Sequence, residues 1–171
     1  RILLPNLLCC FDIGEHICTP KAVDRLLWIA NQHQCCVVIG IDRPKNGVLN
    51  WIRILKLIDE GYEGILITVS DDSMAGEGSG YGEVVLKNEK DTREVGRRLG
   101  LKEAIFLNYP NHNLDAWPII EMRARLVFLF RQFKVDTIVV YDPSGLYERN
   151  PDHSVTAKAV EWAAAICGMS W

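Results

Sequence analysis

Four short apolar runs, at residues 35–41, 64–69, 104–107 and 137–141, alternate with segments of helical period. That alternation limits the fold more than any other feature of the chain. The runs are too short for helices, and a run that is apolar throughout suits a strand covered on both faces. Between them, Val48, Ile52, Leu55 and Ile58 recur at helical spacing, and Gly61 supplies the stop. Residues 86–99 read as a second helix closed by Gly100, residues 117–133 as the longest amphipathic helix, and 153–167 as an alanine-rich one. Thr19 and Pro20 mark the N-cap and first position of a further helix running to Gln34. Strands alternating with helices of this length imply parallel βαβ units with right-handed crossovers. The expected fold is therefore α/β, a three-layer Rossmann-like sandwich with a mainly parallel sheet. Residues 1–18 show no period, and 1–34 stand apart as an N-terminal segment with no firm structure assigned.

The bulk properties exclude several function classes. A chain of 171 residues is one domain, large enough to bury about two-thirds of its unfolded surface without staples. A net charge of −3 lacks the basic excess that nucleic acid binding requires. No apolar run approaches the ~18 residues of a membrane helix. Cys9, Cys10, Cys18, Cys35, Cys36 and Cys167 form no Cys-x-x-Cys pair, so they read as reduced thiols of a cytoplasmic protein. The leucine pairs before Phe11 imitate a signal peptide, but Pro5 and Asn6 interrupt them and no small-residue cleavage site follows. The chain opens on Arg1 rather than Met, which reads as a trimmed or fragmentary product.

Polar residues gather just after each strand: 42–47, 70–73, 108–113 and 147–153. Parallel strands bring such loops to one rim, where open α/β sheets place their ligands. Gly76, Gly78, Gly80 and Gly82 suggest a phosphate loop, but Tyr81 and Glu83 stand where a dinucleotide fingerprint needs glycine. That stretch reads instead as a lid over the rim. Asp152-His153 opens the last helix, either as a helix-capping Asp beside a surface His or as a functional pair.

Several segments in order carry a family resemblance: Asp59-Glu60-Gly61-Tyr62, Val69-Ser70-Asp71-Asp72, the stretch from Glu89 to Glu94 with Leu99-Gly100, Phe106-Leu107-Asn108-Tyr109-Pro110 with Leu114, and Asn150-Pro151-Asp152-His153. From about Val37 to Met169 the chain resembles the LmbE/PIG-L family of zinc-dependent N-deacetylases, whose second signature is His-Pro-Asp-His. The resemblance implies hydrolysis of N-acetyl groups on sugars or glycoconjugates, with zinc as cofactor. It makes His153 a metal ligand, Asp152 its support, Asn150 an oxyanion donor in place of the family histidine, and Asn111 and His112 substrate contacts. It also makes residues 35–171 the domain, which reads as shortened at its C-terminus.

The family's early His-Pro-Asp-Asp motif is not matched. Aligning Pro44 with the family proline puts Arg43, Lys45 and Asn46 in the ligand, base and ligand positions. Counting back from Gly61 instead puts Asp42 in the histidine position and Lys45 in the second ligand position. Lys and Arg offer no lone pair at neutral pH and repel a divalent cation, by several kcal/mol at an effective dielectric of ~20. Asp42 is then the one replacement metal ligand on this loop. The expectation is an impaired deacetylase. The alternative is a non-catalytic sugar-binding pseudoenzyme, with Arg43, Lys45, Asn46 and Asn111 holding a polar ligand. A further expectation is that, where the metal is lost, the cation of Lys45 or Arg43 fills the place of zinc and pairs with Asp152. The partner expected is a small sugar or glycoconjugate ligand. Nucleic acid and a transmembrane segment are not expected, and a homo-oligomer is allowed.

Overall fold

The computed structural model describes residues 6–9, 35–40, 48–74, 80–140, 142–144 and 150–168. Their strands form a five-stranded sheet in the order β1-β5-β2-β3-β4, and every pairing is parallel. The elements run β1 (Asn6–Cys9), β2 (Cys35–Gly40), α1 (Val48–Asp59), β3 (Glu63–Ser70), α2 (Tyr81–Arg98), β4 (Glu103–Tyr109), α3 (Ile119–Phe133), β5 (Thr137–Val140) and α4 (Pro151–Cys167). The chain steps outward from β2 to β4, then returns so that β5 enters between β1 and β2. Strand order therefore reverses at the β2/β5 boundary, the place where α/β sheets open a crevice at their carboxyl edge.

Side-chain alternation along the strands builds the three layers. Ile65, Ile67 and Val69 of β3, with Ile138 and Val140 of β5, face α3 and α4 in one core. Leu66 and Val139, one residue out of phase, meet Ile54 of α1 and the partly buried Leu101 and Ala104 on the other side. This is the α/β sandwich with a parallel sheet that the sequence implies. Gly64 matters to the second layer: a Cβ there would lie 2.4 Å from Leu101 Cδ2, so glycine lets the turn after α2 seat against β3.

Several boundaries differ from the sequence expectation. β1 lies in a stretch to which periodicity assigned nothing, because the four residues Asn6 to Cys9 are too few to show a pattern. Helix α2 starts at Tyr81 rather than 86, since its first turn carries Tyr, Gly and Glu and buries only Val84. A single 3-10 turn, Leu114–Ala116, precedes α3 and delays its start to Ile119. Helix α4 begins at Pro151, the proline filling a first-turn position that needs no N–H. Lys134 ends α3 in the left-handed region (φ 52°, ψ 47°), with its N–H donated to Arg131 and Phe130 carbonyls. The helix expected from Thr19 to Gln34 lies outside the described residues.

Candidate active-site rim

The carboxyl ends of β3 and β4 and the start of α4 are joined by two buried carboxylates. Asp71, just past β3, is 4% exposed. Its Oδ1 accepts the Ser73 N–H at 3.0 Å and the Asn111 N–H at 3.1 Å, while its Oδ2 accepts the Tyr81 hydroxyl. Asp152, in the first turn of α4, is fully buried. Its Oδ2 accepts the His112 N–H at 2.5 Å and its Oδ1 the Leu114 N–H at 3.1 Å. The loop after β4 is thus gripped from both sides through its backbone. His112, at φ 59°, is held in a left-handed conformation and its side chain is exposed, as is that of Asn113.

Two hydrogen-bonding tasks at the start of α4 explain its signature. Asn150 caps the helix, its Oδ1 accepting the Asp152 N–H at 3.1 Å. A hydrogen bond from Asn150 to a ligand would therefore come from its amide nitrogen. His153 lies directly behind, 5% exposed, in the helix's first turn. Of the expected site residues, Asn111, His112, Asn150, Asp152 and His153 are brought together by these bonds along one edge. Asp42, Arg43, Lys45 and Asn46 lie outside the described residues.

At the last residue of β4, the Tyr109 hydroxyl donates to Glu121, and Arg125 Nε reaches the same carboxylate at 2.5 Å. Trp117 packs edge-on to the Tyr109 ring at 5.7 Å. Burial and the Glu121 carboxylate hold the Tyr109 phenol well above its ordinary range, so it stays protonated and keeps donating. This cluster fixes where β4 hands over to α3, and hence where the 110–114 loop begins.

Beside Asp71, a cavity of about 10 Å³ is lined by Thr68, Ser70, Asp72, Asn88, Glu89 and Asn108, among others. The Ser70 Oγ inside it has no hydrogen-bond partner among the described residues. Its polar lining and size suit about one water. Asn88 Nδ2 donates to the Asp72 carbonyl at 2.8 Å, holding the strand-end turn in which Asp72 adopts φ 55°.

The fit of zinc follows from the donors. Among the described residues no three His, Cys, Asp or Glu side chains converge. Both oxygens of Asp152 are engaged by backbone N–H groups, which leaves His153 as the imidazole on this side. Among the described residues these donors do not complete the three-ligand zinc site of a hydrolase.

The sequence places Asp71 among the polar residues after β3 without singling it out, and gives Tyr81 no task. Ser70-Asp71-Asp72-Ser73 looks like any polar turn, and only the long-range bond to Asn111 reveals its task. Burial pushes the Asp71 carboxyl upward, but bonds from Tyr81, from Ser73 and from the Asn111 backbone outweigh it and hold it below the ordinary value of 3.8. A depressed folded-state pKa means the unfolded chain takes up its proton first. The stabilisation is then complete above 3.8 and lost as pH falls through the lower folded value. Acid titration of unfolding should show this: in Asp71→Asn the stability below pH 3.8 is expected to fall less steeply than in the parent chain.

The fold and rim define an α/β sandwich of the class that, where it binds a ligand, does so at the carboxyl ends of its strands. The chain belongs to the PIG-L family (GlcNAc-PI de-N-acetylase), whose description matches residues 52–164. Members of that family are generally metal-dependent. No curated protein matches the chain. Among solved structures it is similar to N,N'-diacetylchitobiose deacetylase from Pyrococcus horikoshii in complex with an inhibitor (25% identity, TM-score 0.67), covering 89% of this chain and 61% of that one. A conserved protein from Thermus thermophilus (22%, TM-score 0.62) covers 81% of this chain and 58% of its own. GalB, a 4-carboxy-2-hydroxymuconate hydratase from Pseudomonas putida (13%, TM-score 0.60), covers 76% and 55%. The last two share the fold. This chain spans about three-fifths of the length of the first structure. No helix among the described residues is long and apolar enough to cross a membrane.

Proposed function

We propose that this chain recognises N-acetylated sugars or glycoconjugates at its carboxyl rim, and that its hydrolysis of their N-acetyl groups is impaired. The observation that carries this reading is a conjunction. Family membership spans residues 52–164, including Asn150 to His153, while the preceding loop Asp42-Arg43-Pro44-Lys45-Asn46 contains no histidine. The first similar structure is a deacetylase of a disaccharide, which supports a sugar ligand.

On this reading Asn111 and His112 contact the ligand from a loop whose backbone is already fixed. Asn150 donates from its amide nitrogen to an oxygen of the N-acetyl group. His153 supplies the imidazole and Asp42 the carboxylate of the first loop, while Arg43, Lys45 and Asn46 contribute positive charge and hydrogen bonds. Asp152 acts by positioning the 112–114 backbone. The unpaired cysteine spacing supports residence in the cytoplasm.

Elemental analysis of tag-free protein and of His153→Ala, beside acetate release from N,N'-diacetylchitobiose with and without chelator, tests the reading. Substoichiometric zinc with slow acetate release is the expected result. About one zinc per chain, lost in His153→Ala together with chelator-sensitive turnover, would show an intact zinc enzyme and overturn the impairment. Sugar binding with no acetate release, weakened by Lys45→Ala, would assign binding alone.

A further inference from the structure

Tyr81 combines two properties that rarely coincide. Its side chain is 66% exposed, yet its hydroxyl is donated to Asp71, a carboxylate almost wholly buried. An exposed tyrosine ordinarily samples several rotamers. Here the phenol end is anchored, so the ring is presented to solvent in one place. Gly80 and Gly82 flank it, and a Cβ added to either would meet nothing within 4 Å. Packing among the described residues does not demand those glycines, and neither adds a side chain beside the ring. Asp71 also accepts the Asn111 N–H, so the ring stands two hydrogen bonds away from the loop that carries Asn111 and His112.

We propose that Tyr81 is a platform on which a pyranose ring of the ligand stacks, and that it sets the preference of the rim for carbohydrate. The proposal rests on the reading that the rim takes an N-acetylated sugar. A pyranose chair with equatorial substituents presents axial C–H groups on its faces, and these meet the negative face of an aromatic ring favourably. Its equatorial hydroxyls point sideways and stay free for hydrogen bonds to polar groups of the rim. The Asp71 tether contributes by restricting the ring before the ligand arrives, which lowers the ordering cost of binding.

Calorimetric titration with N,N'-diacetylchitobiose, and with chitobiose lacking both acetyl groups, tests this on wild type, Tyr81→Phe and Tyr81→Ala. Stacking uses the sugar ring rather than the acetamide. Tyr81→Ala is therefore expected to weaken both ligands by about tenfold, and Tyr81→Phe, which keeps the ring, by less than about threefold. Unchanged affinity in Tyr81→Ala would overturn the proposal. Equal losses in Phe and Ala would also overturn it, by assigning the effect to the hydroxyl and Asp71. If wild type binds neither sugar, the stack and the proposed function fall together. If it binds both but releases no acetate, only turnover is in question and the stack stands. Melting curves of the variants serve as the folding control, since this exposed side chain contributes little to the core.

Discussion

Asp152→Ala is expected to lower the stability of the fold by about 2–5 kcal/mol, although the residue adds no apolar side chain to the core. Its carboxylate is fully buried and carries the backbone N–H groups of His112 and Leu114. Removing it strands donors in a place that water reaches poorly, and each such orphan costs about 1–3 kcal/mol. For a chain of this size the melting temperature would fall on the order of 10 °C. Asp152→Asn separates charge from geometry. Its amide has one oxygen, so one N–H would face an NH₂ group, and about half the loss is expected. Hydrogen exchange offers a local check: the amides of residues 112 and 114 should exchange faster in Asp152→Ala, relative to β3 amides. Thermal melts matching the parent chain in both variants would show that the loop is held by something else.

The second large effect is in the core between the sheet and the α3/α4 layer. Phe130 is 1% exposed and belongs to the cluster with Ile65, Ile67, Leu126 and Val160. Phe130→Ala removes a whole ring from a close-packed interior and is expected to cost about 3–5 kcal/mol. The same helix supplies its own control. Phe128 is 67% exposed, and Phe128→Ala should change stability by no more than about 0.5 kcal/mol in either direction. Urea denaturation of the pair measures the difference without reference to any activity. Similar losses for both would mean that α3 packs with a different face inward.

The layer architecture was legible because it depends on periodicity. Val48, Ile52, Leu55 and Ile58 mark one face of α1 whatever they touch, and the unbroken apolar run of β3 states that both its faces are covered. Helix starts were less legible. Tyr81, Gly82 and Glu83 belong to α2 without an apolar period, and they are helical because the helix above them is packed against β4. The candidate site was legible only where chemistry is local, as in the Asn150 cap and the Pro151 that follows it. Asp71 shows the limit: its partners Tyr81 and Asn111 are distant in sequence, and no spacing rule connects them. Asp152 was expected to support an imidazole, and its two oxygens are found on backbone donors. The identity of its donors depends on the path of the β4–α3 loop, which no local pattern around Asp152 encodes.

The position of β5 has a consequence for how the chain reaches this fold during synthesis. β2, β3 and β4 pair in the order in which they are made, whereas among the described residues β1 pairs with β5, through Asn6↔Thr137 and its neighbours. β2 likewise waits for β5 on its other side, with Cys36 paired to Thr137. Until residues 137–140 leave the ribosome, β1 lacks its β5 partner and the Cys-Cys-Val-Val-Ile-Gly strand exposes the edge that β5 later covers. Such an edge invites pairing with another nascent chain. Pairings this far apart in sequence also form slowly, because the loop between them must be closed first. β5 thus joins the two parts of the sheet through pairings that, among the described strands, span the longest separations in sequence.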